Sequence, residues 1–237
     1  MTYNILSGFF ENVAKIFSEK SYLSSIADGL ETTFVVSLGA ALLGLIIGAL
    51  VTFVKILPEA GWKTKVAKAI CNVYVTIIRG TPVALQLFIA AFVIFNFRGF
   101  PSAVTAIFAF GINSGAYVSE NLRAGICSVD KGQSEAGRAL GLSFKTTLLK
   151  IVFPQAIKNV IPAIGNELIA LVKETSIVSM IGMFDLTMAA KVIGSGQNLA
   201  SYFAPMAVVA LFYLAIVYLI TLVIKLLERR LSRNDRG

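Results

Sequence analysis

Between Glu31 and Lys55 the chain carries no ionisable side chain, and the run is dominated by Val, Leu, Ile, Ala and Gly. A stretch of that length and apolarity has few places to go. A helix needs roughly 20 apolar residues to cross the hydrocarbon of a bilayer, and a lipid-embedded backbone must satisfy its own hydrogen bonds, which a helix does. With 57% hydrophobic and 14% charged residues over 237 positions, the composition is not that of a soluble globular domain. About five such crossings fit once loops are subtracted. The expected class is therefore an all-α integral membrane protein.

The net charge of +8 would suggest nucleic acid in a soluble protein. In a membrane protein it reflects Lys and Arg gathered in cytoplasmic loops, so nucleic-acid binding is excluded as a reading and the lipid bilayer is the partner that composition implies. Placing the N-terminus outside and the C-terminus inside leaves Lys15, Lys20, Arg98 and Lys191 external and Lys173 within the membrane, and puts the other 16 of the 21 basic residues on the inner side. The sequence therefore predicts five crossings with N-out, C-in topology. Cys71 and Cys127 lie far apart and there is no histidine, so neither a zinc site nor a disulfide framework is indicated.

Residues 1–28 read as an external amphipathic segment, with Ile5, Leu6, Phe9, Phe10, Val13, Ile16 and Phe17 at helical spacing. Glu11 and Lys15 interrupt the core that a cleaved leader would need, so the segment is expected to be retained. A transmembrane domain spans 29–228, and 229–237 form a basic cytoplasmic tail. The first crossing, about Glu31 to Lys55, carries Gly44 and Gly48 in the small-x-x-x-small pattern that lets helix backbones approach in lipid. A connecting segment with Lys63, Lys65 and Lys68 follows.

The second crossing bears Arg79-Gly80-Thr81-Pro82 near its start, where proline removes a donor and clashes with the preceding turn, so a kink or local opening is expected. Broken membrane helices border protein or a watery cavity. In the third crossing, which Pro101 can begin, Asn113, Tyr117 and Glu120 fall on one helical face. The fourth, about Asn159 to Gly182, holds Asn166, Glu167, Lys173 and Glu174 on an arc of about 120°, with Leu168, Leu171 and Val172 opposite. Each ionisable residue at mid-membrane costs roughly 2.5–3.5 kcal/mol on insertion scales, so one-sided placement points to a shared interior. The alternative is Lys173 neutralised by Glu167 or Glu174. The stretch from Met183 to Pro205 is too polar to cross unaided and is expected to be an external, partly embedded loop, and the last crossing runs from about Pro205 to Leu226.

Between the third and fourth crossings, the loop of about 130–156 opens with Glu135-Ala136-Gly137-Arg138-Ala139-Leu140, good helix formers except for Gly137, and stops at Gly141. A second, amphipathic stretch passes through Phe144, Leu148, Ile151 and Val152 to Pro154. The positions Glu135, Ala136, Gly141, Ile151 and Pro154 resemble the cytoplasmic Glu-Ala-Ala loop of ABC importer permeases. The runs RGTPVALQL, NSGAYVSENLRAGI and GNELIALVKETSIVSMIG resemble the polar amino-acid uptake branch of that family. Gly137 stands where the family usually has Ala, a change expected to loosen the turn by about 1 kcal/mol.

The resemblance implies a type I ABC importer permease-like fold. It also implies an ATPase subunit dimer docking on the cytoplasmic coupling helix from Glu135 to Gly141, a second permease chain, identical or homologous, and an extracytoplasmic amino-acid-binding protein, in a bacterial cytoplasmic (inner) membrane. No Gly-x4-Gly-Lys-Ser/Thr occurs, so this chain is expected to be no enzyme and to hold no cofactor, ATP and Mg²⁺ being bound by the partner. An α-amino acid needs a cation for its carboxylate and an anion for its ammonium. Arg79 and Glu167 are the candidates for those roles, followed by Asn166, Gln86, Lys173, Glu174, Asn113 and Tyr117. Two acidic groups against one lysine on the fourth helix lean toward a cationic or zwitterionic solute. A gradient-driven secondary transporter and a non-transporting membrane assembly subunit are the rival readings.

Overall fold

In the computed structural model, residues 2–58, 61–196 and 202–233 are described, and among them the chain is helical with no strand. Helix α1 is Thr2–Ser18, α2 Lys20–Ile56, α3 Trp62–Gly80 and α4 Val83–Ile89. They are followed by α5 Ser102–Cys127, α6 Lys131–Ala139, α7 Phe144–Thr147, α8 Phe153–Glu174, α9 Leu186–Gly194 and α10 Phe203–Arg233. A π turn at Ala90–Ile94 extends α4, a second at Leu148–Val152 joins α7 to α8, and a 3₁₀ turn at Thr175–Ile181 continues α8 to Gly182. By length and composition, Lys20–Ile56, Phe144–Ile181 and Phe203–Leu231 can cross a membrane, and Trp62–Gly80 with Val83–Ile94 makes a fourth crossing if the bent pair is one span.

The centre of the bundle is α5, which is not among those apolar candidates. Thr105, Asn113, Ser114 and Ser119 are buried on it beside Ala106, Ala109, Phe110 and Ala116. Its neighbours cover most of its middle, so it can be short of large apolar side chains and still sit inside the bundle. Its closest packing is with α2. A methyl group at Gly44 would meet Ser114 Cβ at 2.8 Å, and one at Gly48 would meet Val118 Cγ1 at 2.5 Å. From the other side, Gly111 approaches Leu43 and Gly115 approaches Ile47. The small residues are thus spent on backbone approach, as expected from the pair on α2.

Two apolar clusters hold the rest. Val36, Leu87, Phe110, Leu171 and Val178 join α2, α4, α5 and α8, while Ile16, Ile26, Val172, Leu186, Ile193 and Val208 join α1, α2, α8, α9 and α10. The aromatic rings of Phe9 and Phe203 stand 5.1 Å apart.

Several boundaries differ from expectation. The first long helix starts at Lys20 rather than near Glu31, and its 37 residues extend about 55 Å, well beyond a hydrocarbon core. The lysine-bearing connecting segment is helical from Trp62 onward, since its apolar residues recur at helical spacing between the lysines. Within the region expected as an external loop, α9 is a helix with Leu186, Ala189, Ala190, Ile193 and Gly194 buried. Its first turn is capped by Asp185, which accepts from Thr187 N at 3.0 Å and Met188 N at 2.9 Å. The Gln197–Ser201 part of that expectation lies outside the described residues. The amphipathic stretch ending at Pro154 is not a separate helix, because α7, the π turn and α8 form one continuous run. Pro154 has no N–H for Lys150 and its ring crowds that carbonyl, and the widened turn, with Phe153 N donating to Leu148 O, carries the helix past it.

Candidate functional site

The helix break at Arg79-Gly80-Thr81-Pro82 is sharper than a kink: α3 and α4 meet at 106°. Thr81, the residue before proline, is extended at φ −122°, ψ 147°, as the proline ring requires. The break leaves carbonyls at the end of α3 without helical donors, and the Gln86 amide supplies one. Its Nε2 donates to Ile78 O at 2.8 Å and lies 2.8 Å from Thr81 Oγ1, while its Oε1 accepts from Asn113 Nδ2 at 3.0 Å. Asn113 is on α5, so Gln86 both closes the break and fastens it to the central helix. One turn further along α5, Tyr117 carries the Arg79 guanidinium 5.2 Å from its ring centroid, an attraction worth about 0.5–1 kcal/mol when exposed and more when desolvated. Tyr74 completes the seam by donating to Ile112 O at 2.6 Å.

Four of the eight predicted solute residues, Arg79, Gln86, Asn113 and Tyr117, therefore meet in one place. The other four lie along α8. Asn166 and Lys173 are exposed in the single chain, Glu167 and Glu174 are half-buried, and Val172 on the opposite side is buried. Leu171 is buried too, but it lies only about 40° around the helix from Glu167, at the edge of the row and not opposite it. Among the described residues none of Glu167, Lys173 or Glu174 forms an ion pair at contact distance. Glu167 stands beside Ser114, whose position on α5 is offset from those of Asn113 and Tyr117 by roughly 60–100° around the helix. The break and the charged row thus flank adjacent sides of α5.

Glu120, expected on the polar face with Asn113 and Tyr117, is engaged elsewhere. Its Oε1 is 2.5 Å from Lys55 Nζ at the end of α2, and its Oε2 is 2.9 Å from Arg123 Nη2. The i, i+3 spacing to Arg123 was legible in the sequence, but Lys55 is a tertiary partner 65 residues away. Ser114 and Thr147 carry no signal in the sequence, since small hydroxyl residues on helices give none until their burial is known.

At the same end of the bundle, the helix expected to open at Glu135 begins four residues earlier, at Lys131, and stops at Gly141 as expected. Asp130 caps α6 by accepting from Gly132 N at 2.6 Å. The helix ends in a Schellman motif, in which Leu142 N donates to Gly137 O at 3.0 Å and Gly141 N to Arg138 O at 2.9 Å. That geometry needs a left-handed residue, which Gly141 supplies at φ +72°. Ser143 then caps α7 through Thr146 N at 3.2 Å. Glu135, Ala136, Arg138, Ala139, Leu140 and Gly141 are exposed and Gly137 alone of the predicted docking residues is buried. Leu140 is 78% and Phe144 51% exposed, so an apolar, charge-flanked edge is left without a partner in this chain.

Membrane-length helices packed on a small-residue centre, a sharp helix break and a capped helix held out at one end are the architecture of a membrane permease subunit. Residues 60–233 match the family described as binding-protein-dependent transport system inner membrane component, and the chain belongs to that family. It is 39% identical to a putative glutamine transport system permease protein of Rickettsia prowazekii, over 88% of this chain and 94% of the relative. It is 38% identical to an arginine transport system permease protein of Bacillus subtilis, over 89% and 94%. Among solved structures, an amino acid ABC transporter crystallised with histidines matches with a TM-score of 0.81 at 35% identity, covering 91% of this chain and 98% of the other. The methionine ABC transporter MetNI in an inward-facing form matches with a TM-score of 0.73 at 19% identity, over 90% and 99%, and shares the fold.

Proposed function

We propose that this chain is the membrane-spanning subunit of an ATP-driven importer for polar amino acids with cationic or zwitterionic side chains. The observation that carries the reading is the pairing of an exposed guanidinium at a helix break with an unpaired acidic row across α5. Arg79, held on Tyr117, receives the α-carboxylate. Glu167 on α8 receives the ammonium, with Asn166, Gln86, Asn113, Lys173 and Glu174 completing the polar lining. Relatives named for glutamine and arginine transport support the class.

Orientation is N-out and C-in with five crossings, α5 being the one that hydropathy alone does not mark. Residues 1–28 are external, 29–228 form the permease domain and 229–237 a cytoplasmic tail. A second permease chain covers the pathway-facing sides of α3, α5 and α8. An extracytoplasmic binding protein delivers the solute, and a cytoplasmic ATPase dimer that holds ATP and Mg²⁺ docks on α6. The membrane is the bacterial inner membrane.

The test is reconstitution with the cognate ATPase and binding protein, followed by uptake of labelled arginine, histidine, glutamine and glutamate. Import of glutamate alone would overturn the solute class, and uptake without any ATPase subunit would overturn the energy source. Glu135→Lys is expected to abolish ATP-driven uptake while the chain still inserts, because a reversed charge on α6 faces the docking partner.

A further inference from the structure

The helix carrying the docking residues is fastened to the rest of the protein through a contact that its sequence disguised. Gly137 is the only buried residue of α6, and a methyl group there would come within 2.7 Å of both Thr147 Cγ2 and Oγ1. Glycine at this position is therefore a requirement of the seat rather than a loosened turn. Thr147 is 5% exposed, and its hydroxyl has no hydrogen-bond partner among the described residues, so its shape and not its polarity engages α6. It is also the last residue of α7, immediately before the π turn that runs unbroken into α8 and hence to Glu167. Beyond that contact α6 lies against the Leu148–Val152 turn that follows Thr147, and its two ends are closed by Asp130 and by the Gly141 turn.

We propose that Thr147 is a positioning residue: packed against Gly137, it makes α6 and the α7–α8 helix one rigid body, so that displacement of α6 by a docked partner is delivered along α8 to the charged row. The proposal rests on the ATPase-docking reading and deepens it. It distinguishes transmission from docking, because the exposed residues of α6 touch the partner and the Gly137–Thr147 contact does not.

The test is a size exchange in the assembled transporter, reconstituted in proteoliposomes with its ATPase and read as amino acid imported per ATP hydrolysed. Gly137→Ala is expected to lower that ratio by about fivefold or more, as overpacking by one methyl unseats the helix, while the ATPase still co-purifies. Gly137→Ala with Thr147→Ala, which returns the volume, is expected to restore it. A parental ratio in the single variant, or no recovery in the double, overturns the proposal.

Should the single variant not fold, the cysteine pair Gly137→Cys with Thr147→Cys serves in a background of Cys71→Ser and Cys127→Ser. The relevant Cβ positions are 3.2 Å apart, slightly inside the usual disulfide range of about 3.5–4.5 Å. Oxidation is expected to leave the ratio unchanged, because the contact stays closed throughout the cycle; transport lost on oxidation and regained on reduction overturns it. A nitroxide at Ala139 in the permease alone separates the two readings. Its mobility is expected to rise in Gly137→Ala and fall back in the double variant whether or not an ATPase docks, and unchanged mobility overturns the rigid seat. Failure of docking shows separately, as an ATPase that does not co-purify with the parental chain.

Discussion

At the scale of single residues, Arg79 and Gln86 share one break but do different work, and their variants should separate. Gln86 donates two hydrogen bonds across the α3–α4 corner and accepts one from α5. Gln86→Leu keeps the size and strands those partners, at about 1–3 kcal/mol for a half-buried polar group left unmade. A lowered thermal unfolding midpoint of the detergent-solubilised chain is expected, and an unchanged midpoint would remove Gln86 from the corner. Among the described residues Arg79 makes only its stacking contact with Tyr117, so Arg79→Lys should leave that midpoint in place. It loses the planar cation, and a loss of about 1.4 kcal/mol is tenfold in apparent affinity. A correspondingly raised KM for uptake with an intact fold is the expected result.

At the scale of helices, what the sequence could announce was what depends on neighbours along the chain. The break at Pro82 and the stop at Gly141 are local chemistry, and they stand where their residues put them. The polar arc of α8 is likewise legible, because helical spacing alone puts Glu167 and Glu174 roughly 140–160° around the helix from Val172. What escaped is what depends on the other side of a contact. The role of Gly137 needs Thr147, and the ion pair of Glu120 needs Lys55. The α2–α5 seam tests the same idea. Gly48→Leu inserts a side chain where even a methyl would meet Val118 at 2.5 Å, and should destabilise by about 1–3 kcal/mol or shift the backbone. Gly80→Ala, where nothing lies within 4 Å, is the control. Thermal unfolding should separate the two, and equal midpoints would mean that the seam tolerates opening.

At the scale of the whole molecule, orientation decides whether any of the proposed machinery can work, because α6 engages an ATPase only from the cytoplasm. The basic residues favour that side, and the packing offers an independent handle. Cys127 ends α5 and is exposed, three residues before the cap of α6, whereas Arg98 lies in the exposed turn between α4 and α5 at the opposite end of the central helix. With Cys71→Ser as background and no ATPase co-expressed, a membrane-impermeant maleimide applied to intact cells should spare Cys127 and label it only after permeabilisation. Arg98→Cys, in a chain also carrying Cys127→Ser, should be labelled without permeabilisation. The reverse pattern would place α6 outside, where no nucleotide-driven partner could reach it, and would return the charged row of α8 to a gradient-driven transporter.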